Sequence, residues 1–141
     1  MSEITPDRWL YTKLAADNTL AAMIGGSSGS SAARIYSDIA PQGAAFPLVT
    51  LIQLSDQPVA GVGPAIIMWS GVYGVKVSGG GAYSAIETIA DRVRVVLQAA
   101  SGSVTGGVVV ACTAEGRQRL TEIVDGVLYR TLVLLFRIYS Q

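Results

Sequence analysis

The sequence contains no histidine and a single cysteine, Cys112. This scarcity excludes Ser-His-Asp and Cys-His catalysis, histidine-based metal sites, thiolate clusters and disulfides within the chain. Cys112 follows a run of valines, where it is expected to pack as a small apolar side chain. The residue types that most often carry enzymatic and metal chemistry are therefore missing. We expect no catalytic residues, no metal and no cofactor.

Charge is also scarce. Charged residues make up 14% of the chain, against ~25% in an average soluble protein. Ten basic residues balance ten acidic ones, so the chain offers no basic field for tight nucleic-acid binding. A weakly charged surface favours burial against other subunits, and self-association is expected.

No apolar run is long enough to cross a membrane, and no basic stretch followed by an apolar run opens the sequence. The pattern predicts neither a transmembrane helix nor a signal peptide. We expect no membrane partner and synthesis in a reducing cytoplasm. The length of 141 residues, half of them hydrophobic, suits one core and is too short for two ordinary domains, so residues 1–141 are interpreted as a single domain.

Three helices are predicted. The first begins at Pro6, which fits an initial helical turn, and ends near residue 15. Asp17 is placed to cap a second, short helix. The third, from about residue 83 to residue 100, carries an apolar stripe at helical spacing on one face and charged residues on the other. One face of this long helix is therefore expected to pack on a sheet.

Short β-rich segments surround the long helix, after a brief extended piece at residues 34–36. Strands are expected at residues 48–55, 66–77, 108–113, 120–124 and 127–139. The first two form a long hairpin, residues 115–119 are interpreted as a polar connection, and residues 101–107 as a break. The last strand is apolar on both faces, which is typical of a central position. The predicted fold is α+β: a mostly antiparallel β-sheet packed against a long central helix plus N-terminal helices, with a long β-hairpin.

Residues 57–64 are interpreted as the loop of the long hairpin, and they contain no charge. A disordered tip is one interpretation. A tip that docks on a partner and becomes ordered there is the other, and the partly apolar content favours it. The candidate docking residues are Gln57, Val59, Val62 and Pro64.

Most of the positive charge in the second half of the chain comes from arginine, which suits bidentate pairing at interfaces. The six candidates for a subunit interface or a lumen are Arg92, Arg94, Arg117, Arg119, Arg130 and Arg137. The alternative is a set of ordinary surface salt bridges, which are common and individually weak. Their acidic partners would be Glu87, Asp91, Glu115, Glu122 and Asp125.

Residues 79–81 are three glycines between a predicted strand and a predicted helix, where backbone N–H groups can cradle a phosphate. No Lys-Ser or Lys-Thr follows them, and the GxGxxG spacing is absent. A flexible hinge is the favoured interpretation. A small-ligand or nucleotide site at residues 78–81 remains an alternative.

Five segments resemble the tail completion, or tail terminator, proteins of long-tailed bacteriophages and gene transfer agents. They are residues 9–24, 34–36, 40–49, 86–93 and 129–138. The similarity extends over nearly the whole chain and rests on core and turn residues rather than on a chemical motif. The chain departs from the family pattern in a serine-glycine insertion before Arg34 and in Arg130, where a histidine often stands.

The resemblance implies a non-enzymatic structural protein of the virion, at the neck end of the tail and assembled in the host cytoplasm. It implies a ring of identical subunits, typically a hexamer, that caps the finished tail tube, stops its polymerisation and joins tail to head. The implied partners are other copies of the chain, the tail tube protein and the head-tail connector or stopper protein, with DNA only in transit through the lumen. A head-side neck or stopper protein is the alternative within the virion.

Overall fold

The structure is a computed structural model. It describes residues 6–24, 34–38, 47–61, 63, 66–79, 83–98, 100–104, 107–124 and 126–141. The helices are α1 (Pro6–Ala15), α2 (Asn18–Met23) and α3 (Tyr83–Leu97). The strands are β1 (Ile35–Ser37), β2 (Leu48–Ala60), β3 (Ile66–Gly79), β4 (Gly102–Val104), β5 (Gly107–Val124) and β6 (Val127–Ser140).

All six strands form one sheet in the order β1-β2-β3-β6-β5-β4. Every neighbouring pair is antiparallel except β1 and β2, which run parallel. The last strand lies in the interior of the sheet, where Leu134 pairs with Val75 on one side and with Arg117 on the other. The predicted α+β class, the antiparallel sheet and the central last strand are confirmed.

The three helices cover one face of the sheet, and the core lies between the two layers. Alternate residues of β3 and β6, including Tyr73 and Phe136, point into this core and are almost completely buried. The predicted apolar stripe of α3 supplies the opposite wall. None of the described helices is long and apolar enough to cross a membrane.

The helix ends follow the local sequence closely. Asp17 caps α2 as predicted, and its Oδ2 accepts a hydrogen bond of 2.9 Å from the Leu20 backbone N–H. The long helix ends at Leu97, three residues before the predicted end. Gln98 follows the end of the helix, and its side-chain oxygen accepts a hydrogen bond of 2.9 Å from the Ala114 backbone N–H.

The prediction of two strands after the long helix was wrong, because β5 is one strand of 18 residues. In the polar segment 115–119, expected to be a connection, residues 116–119 pair with β6. Its side chains are exposed, so the apolar pattern that marks a half-buried strand is missing. Backbone pairing to an already ordered β6 needs no apolar side chains on this segment.

The hairpin of β2 and β3 is also longer than expected. Residues 57–60, placed in a loop by the prediction, continue β2 and pair with β3. Pro58 suggested a loop, but β2 has the short β1 as its other neighbour only at residues 49–51. A proline on an open strand edge forfeits no sheet hydrogen bond. Within the predicted break, residues 102–104 form the short strand β4.

Two hairpin arms leave the sheet at opposite ends of β6. Pairing between β3 and β6 runs from Trp69 opposite Ser140 to Gly79 opposite Arg130. The hairpin of β2 and β3 therefore extends past the end of β6 at residues 59–60 and 66–68, and this projecting part is the β2–β3 arm. The β5–β6 arm, from about residue 121 to residue 130, extends past the end of β3 and turns at Gly126, whose φ is 77°. Glycine adopts this left-handed conformation without strain.

Candidate interaction surfaces

Of the four predicted docking residues, Val59 lies on the β2–β3 arm and Gln57 lies on β2 just before it. Gln57 is exposed and lies opposite Ser70, while Val59 is half-buried and lies opposite Met68. Val62 and Pro64 lie outside the described residues. Docking at this arm stays a prediction, with Gln57 and Val59 now placed on a paired strand rather than in a loop.

Both arms carry large exposed apolar side chains. On the β2–β3 arm Ile67 is 51% exposed, and on the β5–β6 arm Ile123 is 72% exposed and Leu128 43%. Ile123 and Leu128 lie opposite one another in the hairpin. Such cross-strand apolar pairs exposed on a projecting arm are typical of surfaces that another protein covers.

Arg92 binds inside the subunit. Its Nε and Nη2 donate hydrogen bonds of 2.8 and 2.6 Å to the two carboxylate oxygens of Asp17. This bidentate pair lowers the pKa of the Asp17 carboxyl below its usual range, and the backbone N–H of Leu20 acts in the same direction. The arginine therefore joins α3 to the start of α2. The salt-bridge interpretation holds for it, although its partner was not among the acids considered.

Arg119 and Arg130 stand over the aromatic ring of Tyr83, at the start of α3. Their guanidinium carbons lie 5.1 and 5.0 Å from the ring centroid. Arg119 also pairs with Glu87. The Tyr83 hydroxyl lies 2.9 Å from the Thr121 hydroxyl. These contacts attach α3 to the base of the β5–β6 arm through cation–π and polar interactions.

Arg137 lies on the sheet face opposite the helices. It pairs with Glu115 through Nε, and its Nη1 donates a hydrogen bond of 2.8 Å to the Ser70 hydroxyl. The hydrogen bonds to Glu115 raise the pKa of the guanidinium further. Arg137 therefore connects β6 to both neighbouring strands.

The remaining two candidates, Arg94 and Arg117, share one cleft between α3 and β5. Among the described residues neither side chain has a hydrogen bond or ion pair, and both are exposed. The cleft has a volume of about 360 Å³. Within the described part of the chain, four of the six predicted arginines therefore have an ion pair or a ring contact, and Arg94 and Arg117 have neither.

The other sequence candidates have packing roles. Gly79 is buried, and a Cβ there would lie 2.8 Å from Ile86 Cγ2, so the glycine lets α3 approach β3 closely. The remaining two glycines of the hinge lie outside the described residues. Burial raises the pKa of the Cys112 thiol to about 12, which leaves the thiolate almost unpopulated at neutral pH.

Sequence reasoning missed three contributors to these surfaces. Tyr83 was seen only as a helix start, and the partner of Arg92 stands 75 residues away in sequence, beyond the reach of any spacing rule. The third is Asp38, exposed just after β1 with a φ of 64°. A polar residue that tolerates left-handed backbone at a strand end is the signal that could have drawn attention to it.

Comparisons with known proteins found one matching family and solved structures of similar fold. The family described as "Tail completion protein gp17" matches residues 8–139. No curated protein matches the chain. One solved structure, titled "Virion of native gene transfer agent (GTA) particle", contains a chain of similar fold at 20% sequence identity. The match has a TM-score of 0.73 and covers 93% of this chain and 90% of that one.

The family match spans all three helices and all six strands, apart from the first residues of α1 and the last residue of β6. The matched residues thus include the sheet with its two projecting arms, the core and the cleft. The chain belongs to the tail completion protein gp17 family and is a structural protein of the virion tail.

Proposed function

We propose that this protein is the subunit of a tail terminator ring, a hexamer that caps the tail tube, stops its polymerisation and joins tail to head. The observation that carries the proposal is the family match over residues 8–139. The fold shared with a chain of a gene transfer agent virion supports it. No bond-making chemistry is required, since the role is performed by shape and binding.

A ring requires a heterologous contact, in which each subunit offers one patch to one neighbour and a different patch to the other. The subunit has an accessible surface of 7569 Å², so two contacts of ~800 Å² each would cover about a fifth of it. The low charge density keeps the desolvation cost of such contacts small.

The two arms supply surfaces at opposite ends of the strands. In our proposal the β2–β3 arm, with Val59 and Ile67, docks on the tube. The β5–β6 arm, with Ile123 and Leu128, faces the connector. Because the arms differ in sequence and shape, the second end lacks the surface that a further tube subunit needs. Binding at one end without propagation at the other is the proposed mechanism of termination.

The absence of net charge suits a channel through which DNA passes. Neutralising many phosphates would bind DNA tightly and slow its transit. Four of the six candidate arginines are held by intramolecular partners, which supports a lumen of modest positive charge.

Two measurements test the proposal. Electron microscopy of the purified protein, alone and with tail tubes, is expected to show hollow rings of six subunits bound at one end of each tube. Tubes assembled in its presence are expected to stop at a defined length, and tubes assembled without it to continue growing. A species that stays monomeric at high micromolar concentration with and without tubes would contradict the proposal, as would tubes that elongate regardless of it.

The same preparation distinguishes the alternatives. Copurification with connectors and never with tubes would indicate a head-side neck protein instead. A rise in melting temperature with added nucleotide would indicate a small-ligand site, because a ligand that binds the folded state stabilises it by mass action.

A further inference from the structure

The cleft between α3 and β5 is produced by an irregularity of the strand. The pairing of β5 with β6 shifts register between Ala114 and Gly116, which is a β-bulge. Gly116 has no side chain to fill the gap, and a Cβ there would meet nothing within 4 Å. Ala90, Leu134 and Phe136 line the floor of the cleft, and all three are buried.

The rim of this cleft carries charged side chains that form no ion pair with any described residue. Arg94 and Arg117 stand on its two sides, one on the helix and one on the strand, with Asp91 beside them. None of the three has an ion pair with a described residue. Two guanidinium groups against one carboxylate leave a net positive site above an apolar floor. A carboxylate of another protein chain could bind the two guanidinium groups, while apolar side chains next to that carboxylate cover the floor of the cleft.

The cleft lies at one edge of the sheet. β4 covers β5 only at residues 107–109, so β5 is the edge strand beside the cleft. The opposite edge is formed by β1, and Asp38 follows it directly. Asp38 is exposed, and its backbone N–H donates a hydrogen bond of 2.8 Å to the Leu51 carbonyl, which ties its backbone to the sheet.

Given the ring of the proposed function, on which this inference rests, we infer that the cleft of one copy receives Asp38 of the next. The Asp38 carboxylate lies between the guanidinium groups of Arg94 and Arg117 of the neighbouring subunit. A patch on one sheet edge thus meets a different patch on the opposite edge, which is the head-to-tail contact that a closed ring needs.

The occupant is a second copy of the chain for two reasons, the zero net charge of the chain and the position of Asp38 on the opposite sheet edge. The whole chain has ten basic and ten acidic residues, so a local excess of positive charge is matched by a negative excess elsewhere on the same chain. Asp38 is one such acid, fixed by the backbone on the edge opposite the cleft. Charge pairs of this kind between partners set register and exclude misaligned contacts.

Charge reversal on the full-length chain tests the contact. Arg117→Glu is expected to raise the concentration at which rings form by about tenfold or more, because like charges then meet at the interface. Asp38→Asn keeps a residue that accepts left-handed backbone and removes only the charge, so a smaller loss is expected. The double variant Asp38→Asn with Arg117→Glu no longer sets like charges against each other and is expected to recover part of the ring formation that Arg117→Glu loses.

Arg8→Glu serves as the control, because Arg8 is exposed on α1 and has no ion pair among the described residues. It makes the same charge change and is expected to leave assembly unaltered. Ring formation is measured by sedimentation velocity and electron microscopy, and thermal melts verify that each variant is folded.

The outcomes separate this inference from the proposed function. Wild-type rings that persist unchanged in Arg117→Glu and in Asp38→Asn would overturn the contact and leave the terminator ring intact. A failure of the double variant to recover assembly, with its fold retained, would also overturn the Asp38 pairing. If the wild-type chain forms no ring with or without tubes, both the contact and the proposed function are wrong.

Discussion

At the scale of single residues, Asp17 shows how one carboxylate serves two elements. One oxygen accepts from the Leu20 backbone N–H at the start of α2, and both oxygens accept from the Arg92 guanidinium on α3. The first contact is local in sequence and the second is not. Both favour the charged carboxylate, so the folded state keeps Asp17 ionised at lower pH than the unfolded chain does.

Asp17→Asn is therefore expected to destabilise the protein in a pH-dependent way. Because the pKa of Asp17 is lowered by folding, its stabilising effect is fully present above the unfolded value of about 3.9 and is lost as pH falls through the folded value. The difference in unfolding free energy between wild type and variant should be largest near neutral pH. It should shrink below about pH 4, as measured by urea denaturation across pH.

Asp17→Ala provides the comparison for this variant. Asparagine caps helices as well as aspartate does, whereas alanine does not, and the lost cap costs about 1 kcal/mol more. The difference in stability between the Asn and Ala variants should be the same at every pH, since neither variant has a carboxylate at position 17. A pH-independent difference between wild type and Asp17→Asn would contradict the assigned role of the ion pair.

At the scale of elements, α3 is the piece that organises the sheet. Its N-terminal Tyr83 bonds to β5, and its C-terminal neighbour Gln98 bonds to the same strand at Ala114. The helix therefore runs along β5 between two polar anchors, with the cleft between them. Its buried stripe packs closely on β3, where Gly79 leaves room for Ile86.

Gly79→Ala is expected to lower the unfolding free energy by about 1–3 kcal/mol, the usual cost of overpacking a core. The added Cβ would lie 2.8 Å from Ile86 Cγ2, so the helix or the strand must shift. Gly116→Ala is the matched control, because a Cβ there meets nothing within 4 Å. Urea denaturation of both variants checks the expectation, and equal stabilities would contradict the close approach of α3 to β3.

At the scale of the whole molecule, the two hairpin arms and the two sheet edges divide the surface into four distinct patches. The arms leave opposite ends of the strands and carry exposed apolar residues such as Ile67 and Ile123. The edges carry Asp38 on one side and the arginine cleft on the other. In our proposal, contacts along the tail axis and contacts around the ring use different parts of the chain.

Replacing Val59 and Val62 together by Asp is expected to weaken capping of the tube without preventing ring formation. The new carboxylate at position 59, on the β2–β3 arm, would be desolvated without a partner when the arm docks. Tail length and the fraction of capped tubes, counted by electron microscopy, measure the effect. Gln53→Asp, on an exposed position of β2 outside the arm, should leave capping unaltered. Normal tail lengths in the Val59/Val62 variant would remove this arm from the docking surface.

Much of the fold follows from local patterns in the sequence. The helix cap at Asp17, the apolar stripe of α3 and the two apolar faces of β6 each depend on neighbours within a few residues, and each was predicted. The exposed middle of β5 was not predicted. Its strand conformation depends on a partner strand and not on its own side chains.

The sequence by itself determined the α+β class and the central last strand, because composition and periodicity are properties of the chain alone. Only the tertiary structure decided which arginines form ion pairs or ring contacts within the subunit and which line the cleft. Arg92 and Asp17 are distant in sequence, as are Arg94 and Arg117 on either side of the cleft. Their pairing or isolation depends on how α3 lies against the sheet, and a long-range contact of that kind has no local signature.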